Sequence, residues 1–103
     1  MNNTKYITYF DIEKINITKG ALELIKENNL KTSDILLLVE RHKFNDDDNI
    51  HENDLKENVN AIHNGGMFLS SYNIKGEKIY IISYIDPTIT ASKETTILLA
   101  EEY

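Results

Sequence analysis

Apolar and polar residues recur along the first part of the chain with periods that predict a strand followed by a helix. The residues from Tyr6 to Ile12 alternate weakly and carry aromatic and β-branched side chains, which predicts an N-terminal strand. Helical spacing follows from Lys19 to about Asn29, with Thr18 as the expected N-cap. The apolar stripe that should pack this helix contains Leu22 and Ile25, widened by Ala21 and Leu24.

The segment from Thr32 to His42 has a less decisive pattern. Residues 35 to 39 are apolar all round, so periodicity alone does not separate a buried helix from a buried strand. A cap at Thr32 or Ser33, with Asp34 in the first turn, favours a helix. His42 would then end the helix, where a positive charge suits the helix dipole.

The second half of the chain predicts one more helix and then a β-meander. Apolar residues at helical spacing run from about Asn53 to His63 and stop at two glycines. The strand-like runs "MFLSSYNI" and "EKIYIISYI" are joined at Lys75-Gly76, which suits a hairpin, and "TTILL" follows a loop that begins at Pro87. The order predicts a single α+β domain over residues 1–103: an N-terminal strand, then two to three helices packed on one face of an antiparallel three- to four-stranded β-meander.

Composition narrows the class of protein. The chain has 17 acidic and 11 basic residues, a net charge of −6, and no cysteine. Disulfide scaffolds and thiolate sites are therefore excluded, and the charge favours a basic protein surface over a nucleic-acid backbone as partner. The chain shows neither an apolar signal segment nor a run long enough to span a membrane, so we expect a cytoplasmic protein.

The most unusual stretch is "RHKFNDDDNIHENDLKEN", residues 41–58. A calcium loop starting at Asp46 would place Glu57 correctly, but Ile50 and His51 stand where a ligand and a glycine are required. Two compatible interpretations stay open: a solvated loop leading into a helix, and a negative patch for a basic partner. The patch would consist of Asp46, Asp47, Asp48, Glu52, Asp54 and Glu57.

Candidate catalytic and metal-binding groups are sparse. His42, His51 and His63 lack the close spacing of zinc ligand pairs, and the serines lie in no nucleophile elbow. We therefore predict a protein that is not an enzyme and needs neither metal nor cofactor. Tyr72 and Tyr84 on the hairpin are candidate anchors of a protein interface, whereas Tyr80 is expected to pack in the core under a helix.

Five segments resemble a family of small, mostly uncharacterised proteins carried by bacterial plasmids, phages and integrative elements. These segments are "ITKGALELI", "RHKFNDDD", "ENDLKENVNAIHNGGMFLSSY", "GEKIYIISYID" and "TTILLAEEY". They are similar in order and spacing to the family's "TPGAL", "RH..GDWGD", "EN..L..G.R..SAY", "G.KIWIIT" and "TTILLPEEY", over about four-fifths of the chain. The tryptophan and glycines of the family's loop are replaced here by Phe44, Asn45 and three aspartates, and its late proline by Ala100.

The resemblance implies a protein encoded on mobile DNA, where small acidic proteins often inhibit host defence. The leading hypothesis is a stoichiometric inhibitor, of anti-CRISPR or anti-restriction type, that fills a basic groove of a nuclease or CRISPR effector subunit. Glu101 and Glu102 near the end of the chain are added to its candidate contacts. The alternative is an accessory or regulatory protein that binds a partner or a second copy of itself through the hairpin tyrosines.

Overall fold

The computed structural model describes residues 6–48 and 51–103, so Asn49 and Ile50 of the acidic stretch lie outside the described residues. The helices in these ranges are α1 (Lys19–Glu27), α2 (Thr32–Lys43) and α3 (Glu52–Asn64), and a short 3-10 helix covers Ala100–Glu102. The strands are β1 (Asp11–Ile12), β2 (Ile15–Ile17), β3 (Gly66–Ile74), β4 (Glu77–Asp86) and β5 (Ala91–Leu99). The predicted α+β class is confirmed.

The sheet is mixed rather than purely antiparallel. Strands β3, β4 and β5 form the predicted antiparallel meander, with the hairpin turn at Lys75 and Gly76 in the left-handed region at φ 51° and 85°. Both β1 and β2 pair in parallel with the far side of β5. The strand predicted from Tyr6 to Ile12 is therefore wrong in extent, because only Asp11–Ile12 pairs and Thr8 instead donates its N–H to the Phe44 carbonyl (3.5 Å).

Local chemistry accounts for the three helices. The Thr18 hydroxyl accepts the Ala21 N–H (3.3 Å), which is the predicted N-cap of α1. The open choice for residues 35–39 is settled as helix, and the Asp34 carboxylate accepts the Lys31 N–H (2.9 Å) at its start. Helix α3 ends at Gly65, whose φ of 84° favours glycine.

The helices bury one face of the sheet in two clusters. Helices α1 and α2 cover the larger cluster, and α3 packs with Phe10 on a smaller one that contains Phe68 and Ile85. The members of the larger cluster are Ala21, Leu24, Ile35, Val39, Tyr72, Ile74, Ile79, Ile81 and Ile97. Leu22, predicted for the packed stripe, is 40% exposed instead.

The alternate side chains of the meander point away from the helices and form what we call the outer face. Its central members are Leu69, Tyr80, Ile82, Tyr84 and Leu98, as the cross-strand register requires. Tyr80 lies here, so its predicted place under a helix is wrong, and its ring contacts that of Tyr103 with centroids 5.6 Å apart. Tyr80 and Tyr84 both lie on this face, because side chains two residues apart on a strand point to the same side.

Candidate functional site

Two of the three aspartates of the acidic stretch, Asp47 and Asp48, hydrogen-bond to the edge of β3 that has no neighbouring strand. Ser71 donates its N–H and its hydroxyl to the Asp47 carboxylate, each at 3.2 Å. Asp48 donates its N–H to the Ser71 carbonyl (3.0 Å), and its carboxylate accepts the Asn73 N–H (3.1 Å). Asp47 is buried. The segment therefore supplies hydrogen bonds that a neighbouring strand would otherwise make.

Asn58 continues this closure along the same edge. Its amide accepts the Leu69 N–H (3.0 Å) and donates to the Leu69 carbonyl (2.7 Å), so one side chain satisfies both backbone groups. The same amide donates to the side chain of Asn45 (2.8 Å), which is also buried. The edge of β3 is thus paired at Leu69, Ser71 and Asn73.

Arg41 forms salt bridges with two of the three aspartates. Its guanidinium donates to Asp46 (3.0 Å) and to Asp48 (2.9 Å), and it lies over the Tyr72 ring at 4.8 Å from the centroid. Tyr72 is fully buried and donates its hydroxyl to the Asp46 carbonyl (2.7 Å), and burial raises the pKa of that hydroxyl. Two expectations are corrected here: Tyr72 is not presented to a partner, and Asp47 does not lie in a solvated loop.

The other candidate residues are dispersed. Glu52 accepts the Tyr6 hydroxyl (2.7 Å) and pairs with Lys56 (3.4 Å), whereas Asp54 and Glu57 are exposed on α3. Glu102 is engaged internally, because its carboxylate accepts from the Thr18 hydroxyl (2.6 Å) and from the Leu99 N–H (2.8 Å). These hydrogen bonds lower the pKa of Glu102. Tyr84 is 65% exposed on the outer face.

Sequence reasoning missed a second acidic surface, which we call the glutamate depression. Glu23, Glu27, Glu77 and Glu101 line one concavity of about 180 Å³ between α1, the start of β4 and the 3-10 helix. Within residues 6–48 and 51–103 none of these four carboxylates forms a salt bridge. Glu23 and Glu27 are one helical turn apart, which is the signal that the sequence offered; the other two are distant in sequence.

His42 is a core residue rather than a helix-end cation. Its imidazole contacts the hydroxyls of Ser70 and Ser83, each at 2.8 Å, and all three residues are closed to solvent. Phe10 and Phe68 pack against the ring in edge-on geometry. Burial lowers the pKa of His42 to about 3, so the ring is neutral and the predicted positive charge is wrong. The contact joins α2 to β3 and β4.

The described part of the chain contains no group of three histidine, aspartate or glutamate side chains placed to hold a metal ion. Among the same residues no helix is long and apolar enough to cross a membrane.

Comparisons of the chain with protein-family models, with curated proteins and with solved structures find no match. The candidate surfaces are therefore defined by geometry: a sealed β3 edge, the glutamate depression and the tyrosines of the outer face.

Proposed function

We propose that the protein is a non-catalytic inhibitor that binds a basic groove of a nucleic-acid-targeting defence complex through the glutamate depression. The observation that carries this proposal is the convergence of Glu23, Glu27, Glu77 and Glu101 without a cation among them in the described residues. Carboxylates with no internal partner keep their full capacity for charge-assisted hydrogen bonds to arginine and lysine. The defence-complex class of target rests on the resemblance to mobile-element proteins.

The depression suits this role better than the run Asp46–Asp48 does. Arg41 already neutralises part of that run, and Asp47 is buried against Ser71. Replacing Asp47 or Asp48 would disturb the edge of β3, so a loss of binding would not separate recognition from stability. Glu23 and Glu27 are exposed on α1 and form no salt bridge to another of the described residues, which makes them the cleaner positions for substitution.

The test is a pull-down from host lysate with two matched double variants. E23Q/E27Q removes two charges from the depression, and D54N/E57Q removes two from the exposed face of α3. We expect wild type and D54N/E57Q to recover a nuclease or CRISPR effector subunit at low salt, and high salt or E23Q/E27Q to abolish that recovery. Equal recovery by the two variants would contradict the depression as the binding surface.

A second candidate function follows from the outer face. Tyr84 and Tyr103 are 65% and 68% exposed there, beside Met67 at 39%. Exposed tyrosines are typical anchors of protein interfaces, and such an interface tolerates salt. An accessory protein of this kind, including one that self-associates, would lose its partner in Y84A/Y103A and keep it in E23Q/E27Q at high salt.

A further inference from the structure

We propose that the free edge of β2, with the apolar groove beside it, binds an extended acidic peptide as an added strand of the sheet. This site is separate from the glutamate depression and does not depend on the proposed function. The two edges of the sheet, at β3 and at β2, differ in how their backbone groups are hydrogen-bonded. The β3 edge is sealed by Asn58, Asp47 and Asp48. Within residues 6–48 and 51–103 no such hydrogen bond reaches the backbone groups of Ile15 or Ile17 in β2.

The register of β2 determines which backbone groups are free. The Lys14 carbonyl accepts the Thr95 N–H (2.8 Å), and Thr18 donates its N–H to the Ile97 carbonyl (3.0 Å). Asn16 lies between them and faces β5, since backbone groups alternate in direction along a parallel strand. The N–H and C=O groups of Ile15 and Ile17 therefore point away from β5. They form a short template for one more strand.

The side chains beside this edge form an apolar groove. The groove has a volume of about 320 Å³ and lies between β2, α1 and the start of α2. Leu22 is 40% exposed and Leu36 is 48% exposed, so aliphatic surface is left open to solvent along both helices. Its apolar lining is Ile15, Ile17, Leu22, Ile25, Leu30, Ile35 and Leu36. A strand paired with β2 would place every second side chain over this surface.

The charges at the rim indicate which peptide fits. Lys31 lines the groove, and Lys19 and Lys26 lie one turn before and one turn after Leu22 on α1, on the arc between Leu22 and Glu23. In the described ranges none of these three lysines forms a salt bridge. These lysines would lie close to an added strand, so they favour one that alternates aliphatic with acidic residues, whereas the net charge of −6 acts against it only from a greater distance.

A second copy of the chain is the poorer occupant. Pairing β2 with β2 of another copy about a two-fold axis would bring both sets of Lys19, Lys26 and Lys31 to the same interface. Like charges at an interface oppose association. The groove therefore points to a partner peptide rather than to a dimer.

The binding test uses a synthetic peptide, acetyl-Glu-Val-Glu-Val-Glu-Val-Glu-amide, titrated into the ¹⁵N-labelled full chain at low salt. We expect saturable binding in which the amides of Ile15 and Ile17 shift and become protected from hydrogen exchange. The analogue with lysine at every glutamate position should bind at least about 10-fold more weakly. Equal binding of the two peptides, or shifts confined to other parts of the sheet, would overturn the proposal.

Two variants separate the backbone contribution from the charge contribution. I17P removes the N–H that faces the free edge while leaving the bonds to β5, and should weaken binding by about 3- to 10-fold. K26E/K31E should weaken it by about 5- to 20-fold, and the matched control K78E/K93E, on other strands, by less than about 3-fold. If I17P fails to fold, the lysine pair decides. If neither peptide binds but the chain self-associates, and I17P abolishes that self-association, then the occupant of the β2 edge is a second copy of the chain and not a peptide.

Discussion

Asp46, Asp47 and Asp48 are identical residues side by side, yet each has a different environment. Asp46 is an exposed partner of Arg41, with a side-chain exposure of 57%. Asp47 is buried against Ser71, and Asp48 shares Arg41 while pairing with the Asn73 N–H. Sequence reasoning placed all three in one negative patch because residue type does not report burial. The backbone turn after α2 decides which carboxylate faces the strand.

This difference predicts unequal effects of alanine at neighbouring positions. Asp47→Ala should lower the free energy of unfolding by about 1–3 kcal/mol, because it removes the buried carboxylate that accepts hydrogen bonds from the Ser71 N–H and hydroxyl. Asp46→Ala should change it by less than about 1 kcal/mol, because an exposed ion pair contributes little. Urea unfolding of both variants measures the difference. Equal losses would contradict the separate roles.

His42 predicts a pH dependence of stability. In the unfolded chain its pKa returns to the ordinary value of 6.5, whereas burial lowers the pKa to about 3 in the folded protein. Protonation therefore favours the unfolded chain. The stability due to neutral His42 is fully present above the unfolded pKa and is lost as the pH falls towards the folded one.

Between about pH 7 and about pH 4.5 this residue should account for a loss of about 2–3 kcal/mol. Urea unfolding across this range measures the loss, and His42→Gln provides the control because glutamine does not titrate. Acidic groups titrate in both proteins, so the difference between their pH profiles isolates His42. Parallel profiles would show that His42 does not govern the pH dependence of stability in this range.

The sequence did contain a signal that the imidazole of His42 is buried. Ile35, Val39 and His42 are spaced four and three residues apart, which places them on one side of α2.

Among the elements, those with local signals were predictable and those with distant partners were not. The cap of α1, the glycine end of α3 and the hairpin at Lys75-Gly76 all depend on residues close in sequence. Strand β2 was missed because it is three residues long and pairs with β5 about eighty residues later. The sealed edge of β3 was missed for a different reason: Asn58 and Leu69 are 11 residues apart, and no local pattern reports that the packing of α3 brings them together.

That seal predicts a large effect for a single amide on α3. Asn58→Ala should lower the free energy of unfolding by about 2–4 kcal/mol, because both backbone groups of Leu69 lose their partner in a partly buried place. Asn60→Ala, an exposed position on the same helix, should change it by less than about 0.5 kcal/mol. Light scattering should also rise over time for Asn58→Ala, because an opened edge strand pairs with other chains. A change at Asn58 no larger than that at Asn60 would show that the edge does not need its seal.

At the scale of the whole molecule, α1 divides surfaces of opposite charge. Glu23 and Glu27 line the glutamate depression, whereas the apolar groove on another side of the helix has Lys31 among its lining residues. Net charge and the acidic run drew attention to residues 46–58, but pairing with Arg41 reduces the charge available there. The distribution of unpaired charge, which depends on the fold, is therefore more informative about partners than the count of acidic residues.

The unequal edges of the sheet predict a hydrogen-exchange pattern in the free protein. The amides of Leu69 and Ser71 are held by Asn58 and Asp47, so they should exchange slowly even though β3 is an edge strand. The amides of Ile15 and Ile17 point away from β5 and should exchange at least about 100-fold faster, as exposed amides without a partner do. Exchange followed by NMR in the full chain, without added peptide, measures both pairs in one sample. If Ile15 and Ile17 were as well protected as Leu69 and Ser71, the edge of β2 would already be covered. The groove would then have no free strand to offer.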